Sequence, residues 1–221
     1  MNPIVCPITI AAGSANAISL SQTPGAAGNL TITGSLATVG VATLTPARRV
    51  AITSAADISN RTFTITGTDR NGNAQVEILT GPNATTVYTL ADFLTVSRIA
   101  ISGAAAGALT VGTNAVASGP WLFPTREITP FNLTVTLENS GTTSQVDYTY
   151  DDPNWVLTPW GTTVEPLSSV PPTVWQLPTM TGVTGNAEGS FERPCFAFRV
   201  TITAGAGTAT LKAIQAGIVQ G

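Results

Sequence analysis

Short runs in which apolar residues alternate with threonine, serine or glutamine recur along the chain, separated by glycine and asparagine. In RTFTITGTDRNGNAQVEI (61–78), Phe63 and Ile65 alternate with Thr62, Thr64 and Thr66, while Val76 and Ile78 alternate with Gln75 and Glu77. A period of two puts successive side chains on opposite faces of a strand. The Asn71-Gly72 pair between the two runs suits a turn that needs positive φ. The stretch therefore predicts a β-hairpin. LTITG (30–34), RVAIT (49–53), SRIAIS (97–102) and ALTVG (108–112) repeat the pattern, with TGPNAT and SGAAAG as further turn signals. TLADFLTV (89–96) reads as one helical turn. Short strands with turn signals about every 8–12 residues indicate an antiparallel sandwich over residues 29–118.

The pattern breaks at GPWLFPTREITPF, where three prolines and the bulky Trp121 and Phe123 mark a connection over 119–130. It resumes in FNLTVTLEN (131–139) and SQVDYTYDDP (144–153), with NSGTTS predicting the turn between them. FAFRVTITAGAGTATLKAIQAG (196–217) predicts a last hairpin that turns at AGAG. A second sandwich over 131–221 follows, interrupted by a Pro- and Trp-rich excursion at 153–190. Residues 1–28 carry Ile4, Ile8 and Ile10 at even spacing among Pro, Gly and Ser, which predicts an extended N-terminal arm packed on a partner. The expected fold class is all-β: two antiparallel β-sandwich domains, jelly-roll or Ig-like, with that arm.

Composition narrows what such a frame is for. Charged residues make up 10% of the chain, far below the usual ~25%, and Thr, Ser and Asn must cover much of the surface. The net charge is −3. Duplex binding needs clustered Lys and Arg to release phosphate counterions; here Arg48-Arg49 is the one adjacent basic pair, so no nucleic-acid partner is expected. No apolar run reaches the ~18 residues of a bilayer span, so no membrane partner is expected either. The N-terminal stretch lacks the positive region of a secretory signal, and synthesis in the cytoplasm is expected. Cys6 and Cys195 lie far apart in sequence and read either as a disulfide tying the N-terminal stretch to the last third or as two buried free thiols.

The inventory for chemistry is thin. With no histidine, the commonest general base and metal ligand is missing, and a serine triad fails with it. Asp151-Asp152 is the best acidic pair, but neighbours on a strand point to opposite faces, which does not suit paired carboxylates. No catalytic residue and no cofactor is assigned. Calcium prefers several convergent oxygens, and Asp147, Asp151 and Asp152 are the weak candidates for it. Trp155, Trp160 and Trp175 in the excursion read as a lid over the second sandwich, as anchors of a protein interface, or as a stacking platform for a glycan. Candidate interface residues are thus Ile4, Ile8, Ile10, Trp121, Phe123, Trp155, Trp160 and Trp175.

One resemblance adds to this reading. The run from RRVAITSAADISNRTFTITGTDRNGNAQVEILTGPNATTVYTL to SGAAAGALTVGTN (48–114) resembles a module of structural proteins from tailed bacteriophages. FNLTVTLENSG, VDYTYDDP and RPCFAFRVTITAGAGTATLKAIQAG are similar to the β domain that often follows it. The resemblance spans about residues 48–217 with gaps and brings no catalytic residues. It implies a virion protein, most concretely a capsid decoration (cement) protein that bridges capsomers, with the major capsid protein and itself, as a homotrimer, for partners and the capsid surface for location. A neck, collar or tail component, or a tail-associated carbohydrate- or receptor-binding protein, is the alternative.

Overall fold

A computed structural model describes residues 4–124, 132–151 and 173–215. The chain is all-β, with several antiparallel sheets. In chain order the first strands are β1 (Ile4–Ile10), β2 (Ser14–Gln22), β3 (Gly28–Asn29), β4 (Ala37–Thr38), β5 (Val41–Arg48) and β6 (Val50–Ser54). Next come β7 (Thr62–Thr68), β8 (Ala74–Thr80), β9 (Thr86–Tyr88), β10 (Phe93–Ile101), β11 (Leu109–Thr113) and β12 (Ala117–Ser118). The last are β13 (Leu133–Thr149), β14 (Trp175–Gln176), β15 (Ala187–Phe191) and β16 (Ala197–Gln215). They fall into two compact units. One comprises Thr9–Ser118 and Ile202–Gly207, the other Met1–Ile8, Gly119–Thr201 and Thr208–Gly221.

The first unit is sandwich-like. One sheet runs β4–β5–β10–β7–β8, with β3 also paired to β10, and a second runs β2–β11–β6–β9. Inward positions of both sheets meet in one core: Leu44, Phe63, Ile65, Phe93 and Ile99 from the first, Ile18, Ile52 and Val111 from the second. Each such side chain taken from water stabilises the fold by roughly 1.5–3 kcal/mol. The hairpin predicted at 61–78 is present. β7 and β8 pair in unbroken register from Thr62↔Thr80 to Thr68↔Ala74. Asp69 closes the turn by accepting the amides of Asn71 and Asn73, both at 2.8 Å, and Gly72 takes φ 84°.

Three readings change in this unit. Residues 14–22, expected within an arm, form β2 and pair with β11, and Ile18 joins the buried core. LTITG is not a strand. Its chain leaves one sheet where the Leu30 amide donates to the Ile99 carbonyl, and joins the other where the Gly34 amide donates to the Ile18 carbonyl. Between those points the Gln22 side-chain amide takes the place of a neighbouring strand, bonding both the amide and the carbonyl of Thr31 at 3.1 Å. TLADFLTV holds no helical turn: Phe93–Val96 begins β10, and pairing with β7 and β5 outweighs the weak local preference.

The second unit is built on a sheet of order β1–β16–β13–β14, with β15 also on β13. In β1 the alternation predicted for the arm is satisfied within the chain, with Cys6, Ile8 and Ile10 buried. Strand structure runs without interruption through both expected turns, NSGTTS and AGAG, so β13 spans 17 residues and β16 spans 19. Positive φ at Gly141 and Gly205 marks the irregular points. There the buried face changes phase: Leu133, Val135 and Leu137 give way to Thr142, Ser144 and Val146. A bulge that adds residues to a strand exchanges its faces in this way. Cys6 and Cys195 are both buried, and no disulfide joins them.

Candidate functional site

The second unit carries an open groove of about 710 Å³. β13 supplies Tyr148 and its end supplies Tyr150; β15 and the residues after it supply Glu188, Phe191, Glu192 and Arg193. The tyrosines share a side of the strand because they are two residues apart. Tyr148 meets Tyr150 edge-to-face at 5.6 Å and Phe191 at 5.4 Å, the geometry that ring quadrupoles favour. Burial, with Tyr150 beside it, holds the Tyr148 phenol above its ordinary range. The phenol therefore stays protonated and can both donate and accept. Gly189 paves the groove. A Cβ there would meet the Leu177 Cδ2 and Thr179 Oγ1 at 2.9 Å, so any other residue would push those side chains aside where the 3-10 turn Pro178–Met180 lies against β15.

Trp175 pairs with Tyr148 across β13 and β14 and is 52% exposed. The groove and this indole thus present aromatic surface, hydroxyls and carboxylates together. That is an arrangement for holding a ligand or a partner segment by stacking and hydrogen bonds.

Asp147 has a different role. Its side chain is buried, accepts 2.7 Å and 2.6 Å hydrogen bonds from Gln145 Nε2 and Thr201 Oγ1, and lies 3.6 Å from Arg199 Nε. Arg199 in turn covers the ring of Trp121 at 4.2 Å, a cation–π contact. Asp151 accepts the Thr173 amide at 2.9 Å. Among the described residues no three acidic, Cys or His side chains gather as a metal would require; Asp152 lies outside them.

The other interface candidates divide by environment. Ile4 and Phe123 are exposed, Trp121 is half-buried, and Ile8 and Ile10 are buried within the chain. Phe123 also meets Phe196 edge-to-face at 6.1 Å. Trp155 and Trp160 lie outside the described residues. Reading the sequence for tryptophan missed Tyr148, Tyr150 and Phe191, although tyrosines spaced by two in VDYTY were a usable signal. It also missed Val39 and Leu90, the most exposed of the large apolar side chains among the described residues. No known protein family, curated protein or solved structure matches the chain.

Proposed function

We propose that this chain is a non-enzymatic structural protein of a tailed-bacteriophage virion, most concretely a decoration protein that bridges capsomers on the head. One observation carries the reading: large apolar side chains project from a sparsely charged all-β frame. Ile4, Val39, Leu90, Phe123 and Trp175 all stand in solvent, while charged residues make up 10% of the chain. Apolar area left in water becomes favourable when a partner covers it, at about 25 cal/mol per Å². A repeated contact of ~1,200–2,000 Å² would raise the free energy of opening a shell without any chemistry. On this reading the two units are jelly-roll or Ig-like sandwiches, the partners are the major capsid protein and other copies of the chain, and the order expected from shell geometry is a trimer.

The test is co-sedimentation of the purified protein with capsids that lack it. Saturable binding, lost when Phe123 and Trp175 are both changed to Ser, supports decoration. A protein that ignores capsids but binds necks or tails moves the assignment there.

A second reading rests on the groove, where Tyr148, Tyr150 and Phe191 lie beside carboxylates: a tail-associated protein that binds a host glycan. Titration with host surface polysaccharide, followed by intrinsic fluorescence, decides it. A saturable change abolished by Tyr150→Ala supports that reading, and a silent titration removes it.

A further inference from the structure

Strand β8 ends its sheet, and among the described residues no strand lies along its outer side. The ladder shows which backbone groups face that side. The Gly81 amide donates to the Arg61 carbonyl at 2.8 Å, and the Asp69 amide to the Asn73 carbonyl at 2.9 Å. Both are pairs of odd-numbered residues in the register that joins β7 to β8. Hydrogen-bonded pairs recur at every second position of an antiparallel ladder, so Gln75, Glu77 and Leu79 commit their backbone groups to β7. Ala74, Val76, Ile78 and Thr80 turn theirs outward. Val76 and Ile78 also leave their side chains 60% and 69% exposed.

Edge strands are ordinarily blunted by lysine, proline or a bulge. β8 has none of these. Its one charge, Glu77, belongs to the opposite face and accepts the amides of Leu90 and Ala91 at 2.7 Å and 3.0 Å. Gln75 on the same face donates to the Asp92 carbonyl. The loop after β9 thus ties down the polar side of β8 and leaves its edge free.

We infer that β8 pairs with β8 of a second copy of this chain, antiparallel about a two-fold axis. The other edges of this unit do not serve as well. β4 has two residues and β9 three, while β2 is bonded by the amides of Gly34 and Leu36. An identical strand fits the open edge in a register centred on Val76. That register sets Val76 against its counterpart, Ile78 against Ala74 and Gln75 against Glu77. Apolar residues then meet apolar ones across the join and like charges do not face each other. A register centred on Glu77 would oppose two carboxylates. The contact is isologous and closes at two copies, and it stands independently of any virion role.

Light scattering over a rising concentration series of the full chain tests it, together with Val76→Cys under mild oxidation. Val76 and its counterpart would form a hydrogen-bonded pair with Cα atoms near 5.5 Å, within reach of a disulfide, and the two native thiols are buried. The expected results are an even-numbered species that grows with concentration, a disulfide-linked dimer of V76C, and loss of the dimer in V76K/I78K with an unchanged melting profile. A mass that stays monomeric or trimeric throughout, or V76C that stays reduced while native, overturns the pairing.

Discussion

Val39 occupies a position that asparagine would suit better. Ala37↔Ala42 and Thr38↔Val41 pair on either side of it, leaving Val39-Gly40 as a two-residue hairpin loop with φ 51° and 78°. Such loops favour Asn-Gly because both residues need positive φ, which a β-branched side chain resists. Val39 is 98% exposed, so packing offsets none of the strain, which costs on the order of 1–3 kcal/mol. Val39→Asn should raise the thermal midpoint by about 2–4 °C per kcal/mol recovered, read by calorimetry. A lower midpoint would sink the strain account. Cys195 makes a pH prediction. Burial pushes its thiol from an ordinary 9.0 up to about 11, so the folded chain keeps a proton that the unfolded chain gives up. Stability from this source is intact below pH 9 and declines as pH rises towards 11. Urea midpoints measured across that range should fall, and Cys195→Ser should flatten the fall. At Asp147, truncation to Ala strands the Thr201 hydroxyl and removes the carboxylate beside Arg199. The expected cost is about 2–3 kcal/mol, measured by urea unfolding; a cost near zero would mean that the network is idle.

Strands were legible where a period of two coincided with a strong turn. The 61–78 hairpin met both conditions, and its register followed. LTITG met only the first. The chain there had to cross from one sheet to the other, and the side chain that holds it, Gln22, lies nine residues away. NSGTTS and AGAG resemble turns, yet strand structure passes through both because long-range ladders satisfy the same backbone groups. A glycine inside a strand can be as decisive as one in a turn. At Gly67, facing β10, an added Cβ would lie 1.8 Å from the Thr95 carbonyl oxygen. Gly67→Ala should therefore open the β7–β10 pairing and cost well over the ~1 kcal/mol of a typical point mutation. Hydrogen exchange along β7 would report it, and unchanged protection would show that the sheet absorbs the methyl.

On the scale of the whole molecule, sparse charge has a consequence for assembly. Exposed ion pairs weaken as salt shortens the screening length, whereas apolar burial does not. If Phe123, Trp175 and their exposed neighbours carry attachment to a shell, co-sedimentation should survive high salt and fail when those side chains are cut back. Release by salt alone would point instead to charges such as Arg61, Arg98 and Glu188. The groove was only partly legible. VDYTY shows two tyrosines on one side of a strand, but Phe191 joins them by a ring contact from a segment more than forty residues on.

The sequence by itself determined the class of the protein. Alternation, β-branched threonine and glycine-marked turns specify antiparallel strands because they act over a few residues, and the lack of histidine and scarcity of charge need no structure to be seen. Tertiary structure alone decided which face of each strand is buried, where an apparent turn is overridden, and which apolar residues remain in water. Ile10 and Ile78 show why. Each sits in an alternating run, yet Ile10 is buried while Ile78 stands on an open edge. Burial depends on what the rest of the chain lays against a strand, and that partner is set by contacts distant in sequence.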